Sequence, residues 1–147
     1  MNNVNKGNSS TGSSSIGSCS SSSSEVLQKM EATVVKKVSF SAAHRLPNYR
    51  GKCANWHGHN WVIELGITGE IDESGMVIDF GVLKEALQPI LDNLDHRTVN
   101  EIIPNPTAEN IALYIKGWLE KYWIGGSTRI EFVRVWETED SYAEVKG

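Results

Sequence analysis

The chain has 147 residues, 39% of them hydrophobic, which suffices for one ordinary core and is too short for two independent domains. A net charge of −4 argues against non-specific binding to nucleic acid, and no apolar run approaches the length of a membrane span or a secretory signal. Two cysteines, Cys19 and Cys53, make no disulfide framework, so a reducing cytoplasm is the expected compartment.

Residues 1–29 read as a disordered tail. From Asn8 to Ser24 the chain is mostly Ser, with Ile16 its only large apolar residue, and such a segment cannot bury enough surface to offset its ordering entropy. Lys6 and Lys29 against Glu25 make this tail +1 and leave the folded part, residues 30–147, at −5. Met30 opens Met-Glu-Ala-Thr-Val-Val and is a candidate functional start. Thr33 to Ala43 and His59 to Thr68 have strand composition, joined by a loop with Pro47, Gly51 and Cys53. After a turn at Asp72–Gly75, Leu83, Leu87, Ile90, Leu91 and Leu94 recur close to helical spacing, with Pro89 expected to bend that helix.

Asn105-Pro106-Thr107 predicts a second helix start, with Thr107 as N-cap and Glu109 in the first turn. This helix buries Ile111, Tyr114, Ile115, Trp118 and Leu119. Beyond Gly125-Gly126, Thr128 to Glu137 alternates as a strand that puts Val133, Val135 and Glu137 on one face, and Tyr142 to Val145 forms a short partner. The expected fold is α+β in the order ββααββ, an antiparallel four-stranded sheet with two helices on one face.

All four histidines lie in or beside short motifs: His44, Cys53-Ala-Asn-Trp-His57-Gly-His59 and Asp95-His96. Two histidines one residue apart on a strand project from the same face, roughly 6–7 Å apart, and His44 can complete a facial set. Three neutral imidazoles suit a catalytic zinc that keeps a fourth position open, whereas Cys53 as a fourth ligand would make a closed structural site. Histidines without any metal are the bland alternative. A thiol serves as a base near neutral pH only where a neighbouring cation or donor favours the thiolate. Asp95 beside His96 can fix the imidazole tautomer for proton transfer, or the pair can simply end a helix. Glu137, next to apolar neighbours, needs donors to accept from unless it faces solvent. Trp56 and Trp61 read as packing residues.

Six stretches fall in the order of the 6-pyruvoyltetrahydropterin synthase and 6-carboxytetrahydropterin synthase family. They are Phe40-Ser-Ala-Ala-His44-Arg-Leu, Cys53-x-x-x-His57-Gly-His59-Asn60, Gly75-Met-Val-x-Asp79-Phe80, Leu94-Asp95-His96, Asn105-Pro106-Thr107-Ala-Glu109-Asn110 and Trp136-Glu137-Thr138. The resemblance runs from about Met30 to the C-terminus and implies a tunnelling fold (T-fold) assembled as trimers paired into hexamers, with active sites between subunits. It assigns zinc to His44, His57 and His59, catalysis to Cys53, Asp95 and His96, and pterin binding to Glu137 and Thr107. Three residues between Cys53 and His57 resemble the carboxy enzyme of queuosine biosynthesis, which converts 7,8-dihydroneopterin triphosphate to 6-carboxytetrahydropterin, acetaldehyde and triphosphate. The competing activity is that of the pyruvoyl enzyme, which eliminates triphosphate and keeps the two-carbon fragment. A non-catalytic zinc-stabilised pterin-binding or assembly module is the alternative of another class. Arg45, Arg50, Lys52 and Arg97 flank these motifs and are candidates for the triphosphate.

Overall fold

A computed structural model describes residues 30–147; the reading of residues 1–29 as a disordered tail, Cys19 included, falls outside the described residues. Two long strands, β1 (Glu31–His44) and β2 (His57–Glu70), form an antiparallel pair whose register sets His44 directly opposite His57 and Ala42 opposite His59. β1 extends two residues further at its start, and one at its end, than the sequence composition marked. Helix α1 (Phe80–Leu94) follows, then the two-residue strand β3 (Arg97–Thr98), helix α2 (Ala108–Lys121), β4 (Arg129–Thr138) and β5 (Ser141–Lys146).

The sheet order is β3-β1-β2-β4-β5. β1, β2, β4 and β5 are the four antiparallel strands expected, and β3 adds a short parallel pairing with Ala42 and Ala43 at the outer edge of β1. No run of β-forming residues announces so short a strand; β1 supplies the edge that makes it one.

One face of the sheet is apolar because strand side chains alternate. Trp61, Ile63, Leu65 and Ile67 of β2 and Val133 and Val135 of β4 are fully buried there, against Leu83, Leu87, Ile90 and Leu94 of α1 and Ile111, Ile115 and Leu119 of α2. Each such aliphatic side chain contributes about 1.5–3 kcal/mol relative to exposure. Tyr114 and Trp118 pack at the margin of this core instead of inside it. α1 starts where Asp79 accepts from the Gly81 N–H at 2.7 Å, and α2 where Thr107 Oγ1 accepts from the Asn110 N–H at 3.0 Å. Pro89 lies within α1 on its exposed side, and the helix runs on through it to Leu94.

Two irregularities shape β4. Gly66 of β2 pairs with Phe132, and a Cβ there would lie 2.4 Å from the phenyl ring, so the glycine makes room for an aromatic across the ladder. Further along, Trp136 pairs with Tyr142 but Thr138 with Ser141, which leaves Glu137 as the extra residue of a β-bulge.

Candidate metal centre and its surroundings

The three histidines converge where β1 and β2 part into the loop of residues 45–56. His44, only 1% exposed, has its Nε2 3.0 Å from His57 Nε2, and its Nδ1 2.8 Å from the Pro106 carbonyl. A carbonyl accepts only, so Nδ1 carries the proton. His57 is held the same way, with Nδ1 2.7 Å from the Asn55 carbonyl. Both rings thereby carry a proton on Nδ1, and as neutral imidazoles they turn two Nε2 lone pairs towards each other at 3.0 Å.

That arrangement is repulsive by itself and favourable around a cation. His59 adds a buried Nε2 that makes no well-aligned hydrogen bond, although Glu137 Oε2 lies 3.2 Å from it and from His44 Nε2. The ligand atoms of His44, His57, His59 and Glu137 all lie within 4.8 Å of one another. Carbonyls behind two of the rings supply the outer hydrogen bonds that metal-bound imidazoles normally have. The residues therefore fit a divalent ion. Burial lowers the pKa of His59, an effect opposed by the Glu137 charge and reinforced by His44 and His57, so burial favours its neutral, ligating form. Trp61 walls the cluster, its ring centre 4.8 Å from that of His44 and 5.2 Å from that of His59.

Strand alternation puts Glu137 on the face of Val133 and Val135, as the sequence suggests, and the β2–β4 register, with Trp136 opposite Val62, sets that face beside His59 and His44. Sequence reading missed this proximity, since the register between distant strands leaves no mark on local alternation.

Cys53 lies in a 3₁₀ turn, Lys52–Ala54, half-buried and outside the metal-ligand group. Asp95 and His96 lie at the end of α1. Asp95 Oδ1 accepts from the Ser41 N–H at 2.9 Å, Asp95 Oδ2 lies 3.1 Å from His96 Nδ1, and the His96 N–H donates to the Ser41 carbonyl at 2.6 Å. The Ser41 N–H chiefly, with His96 after it, holds the Asp95 carboxyl below its usual range. His96 adopts φ 58° and leaves 82% of its side chain exposed. The dyad's hydrogen bonds go to β1 and to itself; none joins it to Cys53 within the one chain. Ser41, which holds both members, stands inside the motif ending at His44 and was not singled out in the sequence.

Thr107 serves as the α2 cap, one residue after the carbonyl that holds His44. Of the basic residues, Arg45 lies over the Trp56 ring at 5.6 Å, while Arg50, Lys52 and Arg97 are exposed. Trp61 is fully buried as expected, but Trp56 is 57% exposed and is not a packing residue: its loop stands clear of the core.

The 6-pyruvoyl tetrahydropterin synthase family model matches residues 33–147. The chain belongs to this family. An Archaeoglobus fulgidus protein that provisionally carries the name 6-carboxy-5,6,7,8-tetrahydropterin synthase is 42% identical over 108 residues, 74% of this chain and 90% of that protein. A Pyrococcus furiosus dihydroneopterin monophosphate aldolase is 35% identical over 120 residues, 80% of this chain and 99% of its own. Among solved structures, Caenorhabditis elegans 6-pyruvoyl tetrahydropterin synthase superposes with a TM-score of 0.73 at 31% identity, covering 82% of this chain and 98% of that one. The family is one of tetrahydropterin synthases with the T-fold, enzymes acting on small pterin substrates. No helix among the described residues is long and apolar enough to cross a membrane.

Proposed function

We propose that the chain is a zinc-dependent carbon–carbon lyase, a 6-carboxytetrahydropterin synthase. It would convert 7,8-dihydroneopterin triphosphate to 6-carboxytetrahydropterin, acetaldehyde and triphosphate in the cytoplasm, as a step towards queuosine. The observation that carries this reading is the pair of Nε2 lone pairs, His44 and His57, held 3.0 Å apart with His59 beside them. The three-residue spacing from Cys53 to His57 and the 6-carboxy relatives favour the carboxy product over the pyruvoyl one.

His44, His57 and His59 would hold the zinc. When bound, the ion supplies Lewis-acid chemistry, stabilising negative charge on the oxygens of a substrate side chain. Cys53 acts as the base that removes a proton from substrate carbon, and His96, with its tautomer held by Asp95, moves the second proton. Because the dyad and the thiol make no contact in one chain, the reading places them together across a subunit boundary in a hexamer of paired trimers. Glu137 accepts from the ring N–H and amino group of the pterin, a two-donor edge that suits a carboxylate, and Thr107 helps hold the ring. Arg45, Arg50, Lys52 and Arg97 supply cations for the triphosphate.

Incubation of the purified protein with 7,8-dihydroneopterin triphosphate, with products identified by mass spectrometry, tests this. The carboxy product with acetaldehyde is expected. A pyruvoyl product would assign the sister activity, and an unchanged substrate would leave a pterin-binding or assembly module. The Pyrococcus relative makes dihydroneopterin monophosphate the second substrate to offer.

A further inference from the structure

The loop after β3 is tied to the end of β1 by one side chain. The Arg45 N–H donates to Asn100 Oδ1 at 3.0 Å, and Asn100 Nδ2 donates to the Arg45 carbonyl at 2.9 Å. Because the backbone partners can only donate and accept in those senses, they also settle which end of the amide is nitrogen. β3 pairs with β1 only at Ala42 and Ala43. A primary amide carries the same donor and acceptor as a peptide group, so Asn100 pairs with the β1 chain beyond the point where the β3 backbone turns away.

The same Nδ2 lies 3.4 Å from the Pro104 carbonyl. Two residues on, the Pro106 carbonyl accepts from His44 Nδ1. Asn100 thus grips the residue next to His44 with one set of bonds, and with another the segment whose carbonyl fixes the His44 tautomer. It touches none of the ligating atoms itself.

We propose that Asn100 is a positioning residue for the imidazole cluster, holding the Pro104–Pro106 segment against the end of β1 so that His44 keeps its Nδ1 bond to the Pro106 carbonyl and turns Nε2 to the cluster. This rests on reading the cluster as a metal site. Asn100→Asp keeps the shape and the acceptor for the Arg45 N–H, but turns an oxygen towards the Arg45 and Pro104 carbonyls, so repulsion replaces two hydrogen bonds.

Zinc titration of this variant should show a dissociation constant raised about 10- to 100-fold, the range found when outer hydrogen-bond partners of metal ligands are removed. In ¹⁵N spectra of the metal-free protein, His44 should be an Nδ1–H tautomer in the parent chain and a mixture in the variant. Asn93→Ala, which removes a 3.3 Å bond from α1 to the Tyr114 hydroxyl, should lower thermal stability and leave both readouts unchanged. Should Asn100→Asp not fold, Asn100→Gln, with both groups displaced by one methylene, is read in the same way. Zinc affinity within about twofold of the parent, together with an unshifted His44 tautomer, overturns the proposal. A parent chain that takes up no zinc refutes the metal reading alone, since the tautomer in metal-free protein still decides the part played by Asn100.

Discussion

His57 and Cys53 are four residues apart, yet they should fail in different ways. His57→Ala removes one of two opposed lone pairs, so zinc and activity are expected to go together. Cys53→Ala should keep full zinc occupancy and lose activity, because the thiol lies outside the ligand group. Metal analysis of the two variants decides it, and a zinc-free Cys53→Ala would restore the closed Cys-His₃ site. Glu137→Gln is the finer probe, since the carboxylate lies within reach of the histidines. Three imidazoles already suffice for zinc, so the variant should retain the ion. Its amide would turn donors towards the donors of the pterin, and losing a charge-assisted contact worth about 2–3 kcal/mol raises the dissociation constant roughly 30- to 150-fold. Calorimetry with a non-reactive pterin measures this, and zinc loss in the variant would make Glu137 a metal ligand instead.

Among the elements, α1 carries a defect that can be removed. Pro89 has no N–H for the Glu85 carbonyl and sits on the exposed side, while Leu87 and Ile90 beside it are buried. Pro89→Ala should therefore stabilise the protein by about 1–3 kcal/mol without loss of packing, read as a higher midpoint in thermal or urea unfolding. An unchanged midpoint would mean that the helix is already relaxed around the proline. The two helices themselves were legible in the sequence, because 3.6-residue spacing and caps are local: Thr107 caps α2 as its position suggests, while the α1 cap, Asp79, was not picked out. β3 and the Glu137 bulge were not legible. Both exist only because another strand supplies the pairing.

For the molecule as a whole, the carboxyls of Glu31, Asp72, Asp95, Asp140 and Glu144 are all held below their usual range, each chiefly by a hydrogen-bond donor: Arg129, Ser74, Ser41, Thr138 and Arg134 respectively. A depressed folded-state pKa means that the unfolded chain takes up protons first. Their contribution is therefore fully present above the ordinary carboxyl range, about pH 4, and drains away as the pH falls below it. Glu31, Asp72 and Asp140 are exposed and Asp95 and Glu144 half-buried, so each contributes little and salt should weaken the effect. Thermal midpoints from pH 7 to pH 3 should fall most steeply at the acid end, and a flat profile would contradict the assignment. If catalysis joins Cys53 to Asp95 and His96 across subunits, mixing inactive Cys53→Ala and His96→Ala chains under exchange conditions should recover activity. No recovery, with mixed oligomers demonstrated, would place the whole set in one chain. The sequence by itself determined the two helices and four long strands, their apolar faces and the histidines as a candidate metal cluster, because periodicity, capping and short spacings act over a few residues. Only the tertiary structure decided that the Pro106 and Asn55 carbonyls hold two Nδ1 protons, that the β2–β4 register brings Glu137 to the cluster, and that Ser41 holds Asp95. Most of those contacts join residues dozens of positions apart, and they depend on strand register and loop closure, which no local pattern encodes.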